Sequence, residues 1–237
     1  MELPAATPED SVFRVGYEPD PWVWVPWEYG PFTGRWDDPE DIYRVLYAGS
    51  TPEACFLEVL AQFRADAGLG SDFDDIAPDP EDEAYPTVAP GTLERSWLEH
   101  RRLGSARLTG AFVAVLDSTT ISALRPRFLG MAIHYGLADF DASGITVAEP
   151  RAFTQKISRF LYVDARCTGG AVPAGIAYRS RHGFDQQLWA IFERDPADSD
   201  RSPYLSGCSE ERIPEIHPAL LVALPRHRLT LRIAEAE

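Results

Sequence analysis

The chain predicts an α+β domain built mostly on antiparallel sheet. Strand signals outnumber helix signals along its length, and few strand–helix–strand units alternate regularly enough for a parallel sheet. Twenty prolines and seventeen glycines in 237 residues imply many turns and long connections, which disfavours a helical bundle. A chain of this length can bury one substantial core, and its 45% hydrophobic and 25% charged residues are the usage of an ordinary globular protein.

The elements follow in order. Residues 1–11 read as an acidic, proline-bearing N-terminal tail, and residues 12–237 as a single domain. Phe13-Arg14-Val15 is a short first strand. Residues 18–40 lack periodicity and carry five prolines with Trp22, Trp24, Trp27 and Trp36, as a loop with an aromatic payload does. The three earlier tryptophans suit local core better than base stacking. Arg44 to Gly49 is a strand that runs straight into Ser50-Thr51-Pro52-Glu53, a helix start with a hydroxyl cap and a proline in the first turn. The helix, Pro52 to about Ala65, gathers Phe56, Val59, Leu60 and Phe63 on one face. Glu58 lies on the margin of that face, flanked by Cys55 and Gln62.

From Asp66 to Glu83 the chain holds eight carboxylates, and no basic residue occurs between Arg64 and Arg95. An acidic inserted segment near 66–91 is expected there, as a solvated loop without calcium-loop spacing. A short helix follows over Thr92 to Arg101. Leu108 to Leu116 reads as a buried strand, and Arg151 to Val163 as an amphipathic helix through Phe153, Ile157, Phe160 and Leu161. Gly175 to Ser180 and Leu188 to Phe192 form a strand pair, and Leu220 to Leu224 with Leu229 to Ile233 a closing pair around Pro225.

Charge and cysteine usage narrow the function. A net charge of −15 opposes binding to nucleic acid or an anionic membrane, which needs clustered Lys and Arg. Only Lys156 among the 22 basic residues is a lysine; arginine suits planar anion recognition, although a GC-rich genome is the simpler account. Cys55, Cys167 and Cys208 are odd in number and unpaired in spacing, which points to a reducing, cytoplasmic setting. No apolar run is long enough to span a bilayer. His100, His134, His182, His217 and His227 are scattered without metal-ligand spacing, so no metal is expected. Neither a Gly-x-Ser-x-Gly elbow nor a P-loop is present, and Cys55 reads as a core thiol rather than a nucleophile.

One chain-ordered polar set remains: Arg35 in Gly34-Arg35-Trp36, Tyr47 in Leu46-Tyr47-Ala48, Glu58 in Leu57-Glu58-Val59 and Ser180 in Tyr178-Arg179-Ser180. Singly, each residue is ordinarily structural. Together, a guanidinium, a phenol, a carboxylate and a hydroxyl can hold a charged aromatic substrate and stabilise a developing cation.

These contexts resemble the RES family, named for an arginine, a glutamate and a serine. Phe13-Arg14-Val15 is similar to its opening strand and Thr33-Gly34-Arg35-Trp36 to its Gly-Arg-aromatic element. Leu46-Tyr47-Ala48, Thr51-Pro52-Glu53-Ala54 and Glu58-Val59-Leu60 resemble its strand–cap–helix block. Gly175 to Ser180 with Trp189 to Glu193 resembles its closing strands. The resemblance implies an ADP-ribosyltransferase-like fold, two packed and mostly antiparallel sheets with peripheral helices, and a cleft for NAD as substrate, with no further cofactor. It implies cleavage of the nicotinamide–ribose bond by water or phosphate, commonly in a toxin paired with a helix-turn-helix antitoxin. Transfer of ADP-ribose to a protein, or a catalytically idle member that acts by binding a partner, are the alternatives.

On that expectation Glu58 stabilises oxocarbenium character on the ribose, and Arg35 grips the pyrophosphate through paired guanidinium bonds. Tyr47 offers a ring for stacking and a hydroxyl for orientation. Ser180 donates to a phosphate or to the carboxamide. Arg14 is a second anion-binding residue, with Tyr17 close behind it.

Overall fold

The computed structural model describes residues 1–65, 89–147, 149–194 and 200–232. Its strands are β1 (Glu2–Leu3), β2 (Ala5–Ala6), β3 (Ser11–Tyr17), β4 (Val45–Gly49), β5 (Thr92–Glu94), β6 (Arg101–Leu108), β7 (Phe112–Ala114), β8 (Arg166–Cys167), β9 (Gly175–Ser180), β10 (Gly183–Phe192), β11 (Leu205–Arg212) and β12 (Thr230–Arg232). Its helices are α1 (Pro52–Leu60), α2 (Arg95–Glu99), α3 (Ser118–His134), α4 (Ala142–Thr146), α5 (Arg151–Val163) and α6 (Pro218–Arg226).

The fold is α+β, as the sequence predicts. Eight strands join in one sheet of order β11-β6-β3-β4-β10-β9-β7-β2, antiparallel throughout except for the β7–β9 pair. The two expected sheets are therefore hydrogen-bonded into one, and their junction is thin. β3 pairs with β6 along its whole length but meets β4 at a single register position, Phe13 opposite Gly49.

Alternation along the strands sorts their side chains onto two faces. On one face Val12, Leu46, Ala48, Ala106, Trp189 and Ile191 pack with Trp22 and Trp24. The proline-rich loop thus supplies core, and each of its fully buried tryptophans contributes on the order of 1.5–3 kcal/mol of hydrophobic burial. Trp27 instead remains partly exposed beneath the Arg44 guanidinium, 5.1 Å from the ring centre. The other face is covered by two separate helix groups. α1 and α6 lie over Val15 and Leu103, while α3 and α5 lie over Val113, Ile176, Leu188 and Phe192. A seam runs between these groups where β3 and β4 part.

Several elements differ from the sequence expectation. The tail of residues 1–11 contributes β1, paired with β8, and β2 at the sheet edge, with Leu3 wholly buried; strands of two residues are too short to show periodicity. Leu220 to Leu224 is helical, not a strand: Pro218 opens α6 and the His217 ring accepts from the Ala219 N–H. A short apolar run fits either state, and the cap decides it. Thr230–Arg232 then pairs in parallel with Thr92–Glu94, inside the segment expected to be helical. The strand expected at Leu108 to Leu116 is split between β6 and β7. Helix α3 gave no clear signal, because it buries only a narrow stripe, Thr120, Leu124, Phe128 and Ala132, and contains Pro126. The acidic segment near 66–91 lies outside the described residues, apart from its last three.

Candidate active site

The seam opens into a cavity of about 560 Å³, within the range of small-molecule sites. Arg14, Arg35, Tyr47 and Glu58 all line it, joined by Arg151, Tyr178, Arg181 and His182.

Glu58 is placed by its helix. The Thr51 hydroxyl accepts from the Ala54 N–H at 3.1 Å, and Pro52 occupies the first turn, so α1 starts directly at the end of β4. Gly49 lets α1 settle close: a Cβ there would stand 2.9 Å from the Ala54 Cβ and 3.0 Å from the Cys55 Sγ. Ala54, Cys55, Phe56, Leu57 and Leu60 are buried, leaving Glu58 half-buried at the cleft margin. Its carboxylate accepts a short hydrogen bond from the Ser180 hydroxyl, which in turn accepts from the His182 N–H at 3.0 Å. Ser180 is 1% exposed and lies behind Glu58, outside the cavity lining. Its only O–H is engaged by Glu58, so the expected donation to substrate gives way to holding the carboxylate.

Arg35 projects from a tight turn. Tyr47 donates its hydroxyl to Asp37 Oδ1 at 2.7 Å and accepts from the Trp36 N–H at 3.0 Å. The Gly34 N–H donates to Asp37 Oδ2, and a Cβ on Gly34 would stand 2.5 Å from the Tyr47 oxygen. The Gly-Arg-aromatic element is thus explained by packing: Gly34 admits Tyr47, Trp36 is buried in the core, and Arg35 is left facing the cleft. One Arg35 nitrogen donates to the Thr146 carbonyl at 3.0 Å. The Tyr47 hydroxyl, expected to orient substrate, orients this turn instead.

Arg14 fills the gap between the diverging strands. Its Nε donates to the Pro21 carbonyl at 2.7 Å and its Nη1 to the Tyr47 carbonyl at 2.8 Å. Tyr17 is a correction: it lies outside this cleft, 66% exposed, in a separate cavity with Phe63 and Trp97, its ring 4.5 Å from the Arg101 guanidinium. Three residues along a strand move a side chain about 10 Å and onto the opposite face. That second cavity is larger, about 880 Å³, but it contains none of the other expected site residues.

Arg151, Asp37 and Tyr178 are not among the site residues that the sequence singles out. Tyr178 did have a signal, since it lies two residues before Ser180 on one strand. Arg151 and Asp37 had none, because only the packing of α5 and the Gly34 turn brings them in.

The cleft is electropositive in an acidic protein. Four arginines line it, with Glu58 the lone carboxylate among the lining residues. Burial, and the like charges of Arg181 and Arg151, push the Arg35 pKa down, while Tyr178 and Glu58 oppose the shift. Burial raises the Asp37 pKa against the hydrogen bonds from Tyr47 and Gly34. Burial also drives the Cys55 thiol up to about 12, in a side chain that donates to the Phe13 carbonyl at 3.0 Å. Such a thiol is no nucleophile. Among the described residues no group of three His, Cys, Asp or Glu is placed to hold a metal ion, and no helix is long and apolar enough to cross a membrane.

The α+β sheet is thus split at a seam, where the half-buried carboxylate of Glu58 shares a cleft with four arginines. The model of the RES domain family matches residues 11–212, and the chain belongs to the RES domain family. Among solved structures it is similar to the crystal structure of the M. tuberculosis MbcT–MbcA toxin–antitoxin complex, at 14% identity and a TM-score of 0.48, over 88% of this chain and 86% of that one. Among curated proteins, none matches.

Proposed function

We propose that the protein consumes NAD by cleaving the bond between nicotinamide and ribose. The observation that carries this is the Glu58 carboxylate, held by Ser180, sharing an arginine-lined cleft with Arg35. Membership of the RES domain family supports it. Glu58 faces the ribose, where its charge opposes the positive character that builds at the anomeric carbon, so it stabilises the transition state more than the bound substrate. The breaking bond returns its electron pair to the ring nitrogen, and nicotinamide leaves neutral without needing a strong acid. Water or inorganic phosphate then supplies the oxygen that bonds to the anomeric carbon, and water's proton passes to solvent. Arg35 grips the pyrophosphate, as a planar guanidinium does better than an ammonium. Arg151 and Arg181 add to the field that draws in the dianion.

The cellular side of this reading is a cytoplasmic toxin restrained by a helix-turn-helix antitoxin. Incubating purified protein with NAD, with and without phosphate, and resolving the products by chromatography tests the chemistry. Free nicotinamide is the expected product, with ADP-ribose or its phosphate marking the acceptor. Unchanged NAD in both arms from folded protein would exclude the reading. Label from NAD appearing chiefly in a protein band would replace it with ADP-ribosyl transfer. Expression without a partner should arrest growth and deplete NAD; normal growth and NAD would remove the toxin role.

A further inference from the structure

Tyr178 follows Ile176 and precedes Ser180 on one face of β9, which aims it to the side of the sheet that carries Glu58. It is 8% exposed and lines the cleft alongside Arg35 and Glu58. Its ring packs edge-on against Trp36, with centroids 5.6 Å apart at 66°, so its direction is fixed by core packing.

A buried tyrosine hydroxyl ordinarily finds a hydrogen-bond partner. Tyr47 finds Asp37 at 2.7 Å, and Tyr43 finds Ser158 at 2.9 Å. The hydroxyl of Tyr178 makes no hydrogen bond among the described residues. Nor is it sealed in the interior: among the described residues the side-chain atoms enclosed without a partner are Trp36 Nε1, Asp38 Oδ1, Trp97 Nε1 and Thr120 Oγ1. It therefore opens onto the cleft. Burial first, and then the charge of Glu58, push its pKa well above the ordinary value, while Arg35 opposes the shift. The group remains a protonated donor throughout the neutral range, close enough to both Glu58 and Arg35 to feel each charge.

We propose that Tyr178 is a substrate-contacting residue whose hydroxyl donates a hydrogen bond to an acceptor oxygen at the ribose–nicotinamide end of NAD. This rests on the NAD-cleaving reading above. It assigns the donation expected of Ser180 to the residue two positions earlier on the same face, whose hydroxyl makes no hydrogen bond among the described residues.

Tyr178→Phe tests it, because the ring stays against Trp36 and only the oxygen leaves. The expected result is a fall in kcat/KM for NAD of roughly 10- to 100-fold, the range for losing one hydrogen bond in a desolvated site, with an unchanged or higher melting temperature. In a Glu58→Gln background, adding Tyr178→Phe should weaken NAD binding about tenfold by calorimetry. Turnover and affinity both within about twofold of their parents would overturn the assignment. A Tyr178→Phe protein that fails to fold would also overturn it, since the hydroxyl would then have a structural partner. Wild-type protein that neither binds nor cleaves NAD removes the parent reading and this one together. Wild-type cleavage matched by the variant removes this one alone.

Discussion

The phenol of Tyr47 donates to Asp37 Oδ1 at 2.7 Å while accepting the Trp36 backbone N–H at 3.0 Å, so one hydroxyl clasps the turn that carries Arg35. Tyr47→Phe breaks that clasp and leaves the buried Asp37 with one hydrogen bond fewer. The expected cost is about 1–3 kcal/mol of stability, together with a raised KM for NAD as Arg35 loses its fixed direction. Chemical denaturation and steady-state kinetics check both; a stable variant with wild-type KM would show that the turn holds without the clasp.

Glu58 and Ser180 should separate cleanly. Glu58→Gln keeps the hydrogen bond from Ser180 but removes the charge, so turnover should drop by roughly 100-fold or more with little change in melting temperature. Ser180→Ala keeps the charge but frees the carboxylate, and also strands the His182 N–H. A smaller loss of kcat, about tenfold, is expected, together with about 1 kcal/mol of destabilisation. If Glu58→Gln collapses the fold, the carboxylate is structural.

Arg35→Lys preserves charge and loses the planar fork. KM for NAD should rise roughly 10- to 100-fold, with kcat changed less. Kinetics across a range of NAD concentrations resolve the two terms, and an unaltered KM would move the phosphate grip to Arg151 or Arg181.

His182 lines the cleft in neutral form, its pKa lowered to about 4, first by burial and then by Arg64, Arg181, His227 and Arg35. Between about pH 4 and the unfolded value near 6.5 the unfolded chain binds more protons than the native one, so stability rises with pH. The penalty is absent above pH 6.5, grows as pH falls through that window, and is complete below about 4. Because the ring is only half buried, solvent screening reduces it to roughly 1–2 kcal/mol. His182→Asn should therefore melt closer to its neutral-pH temperature at pH 4.5 than the parent does. Parallel pH dependence in the two proteins would contradict the shift.

Cys55 should resist alkylation. With its pKa at about 12, only about one part in ten thousand is thiolate at pH 8. Iodoacetamide followed by mass spectrometry should leave Cys55 unlabelled in folded protein and labelled after denaturation. Equal labelling in both would mean that the packing of α1 on β4 opens readily.

What the sequence determined by itself is local. A hydroxyl cap and a proline at the end of a strand start α1, and helical spacing then leaves Glu58 at the edge of an apolar face. Period-two alternation assigns Ser180 and its neighbours to faces of β9. Each of these is decided within a few residues, by backbone sterics, capping and alternation. The tertiary structure decided who meets whom. Ser180 and Glu58 are 122 positions apart, and nothing in either segment records that the serine's one proton would go to the carboxylate. The same holds for the Tyr47 hydroxyl. It closes on Asp37 because Gly34 leaves room, and the ring's own sequence context cannot say which way its oxygen bonds. Arg151 and Arg181 reach the cleft only when α5 and the β9–β10 turn pack around the seam. Arg14 lies where it does because β3 leaves β4 after one pairing. A hydrogen bond depends on positions within a few tenths of an ångström, and those positions are set by the whole core closing, not by any one stretch of chain.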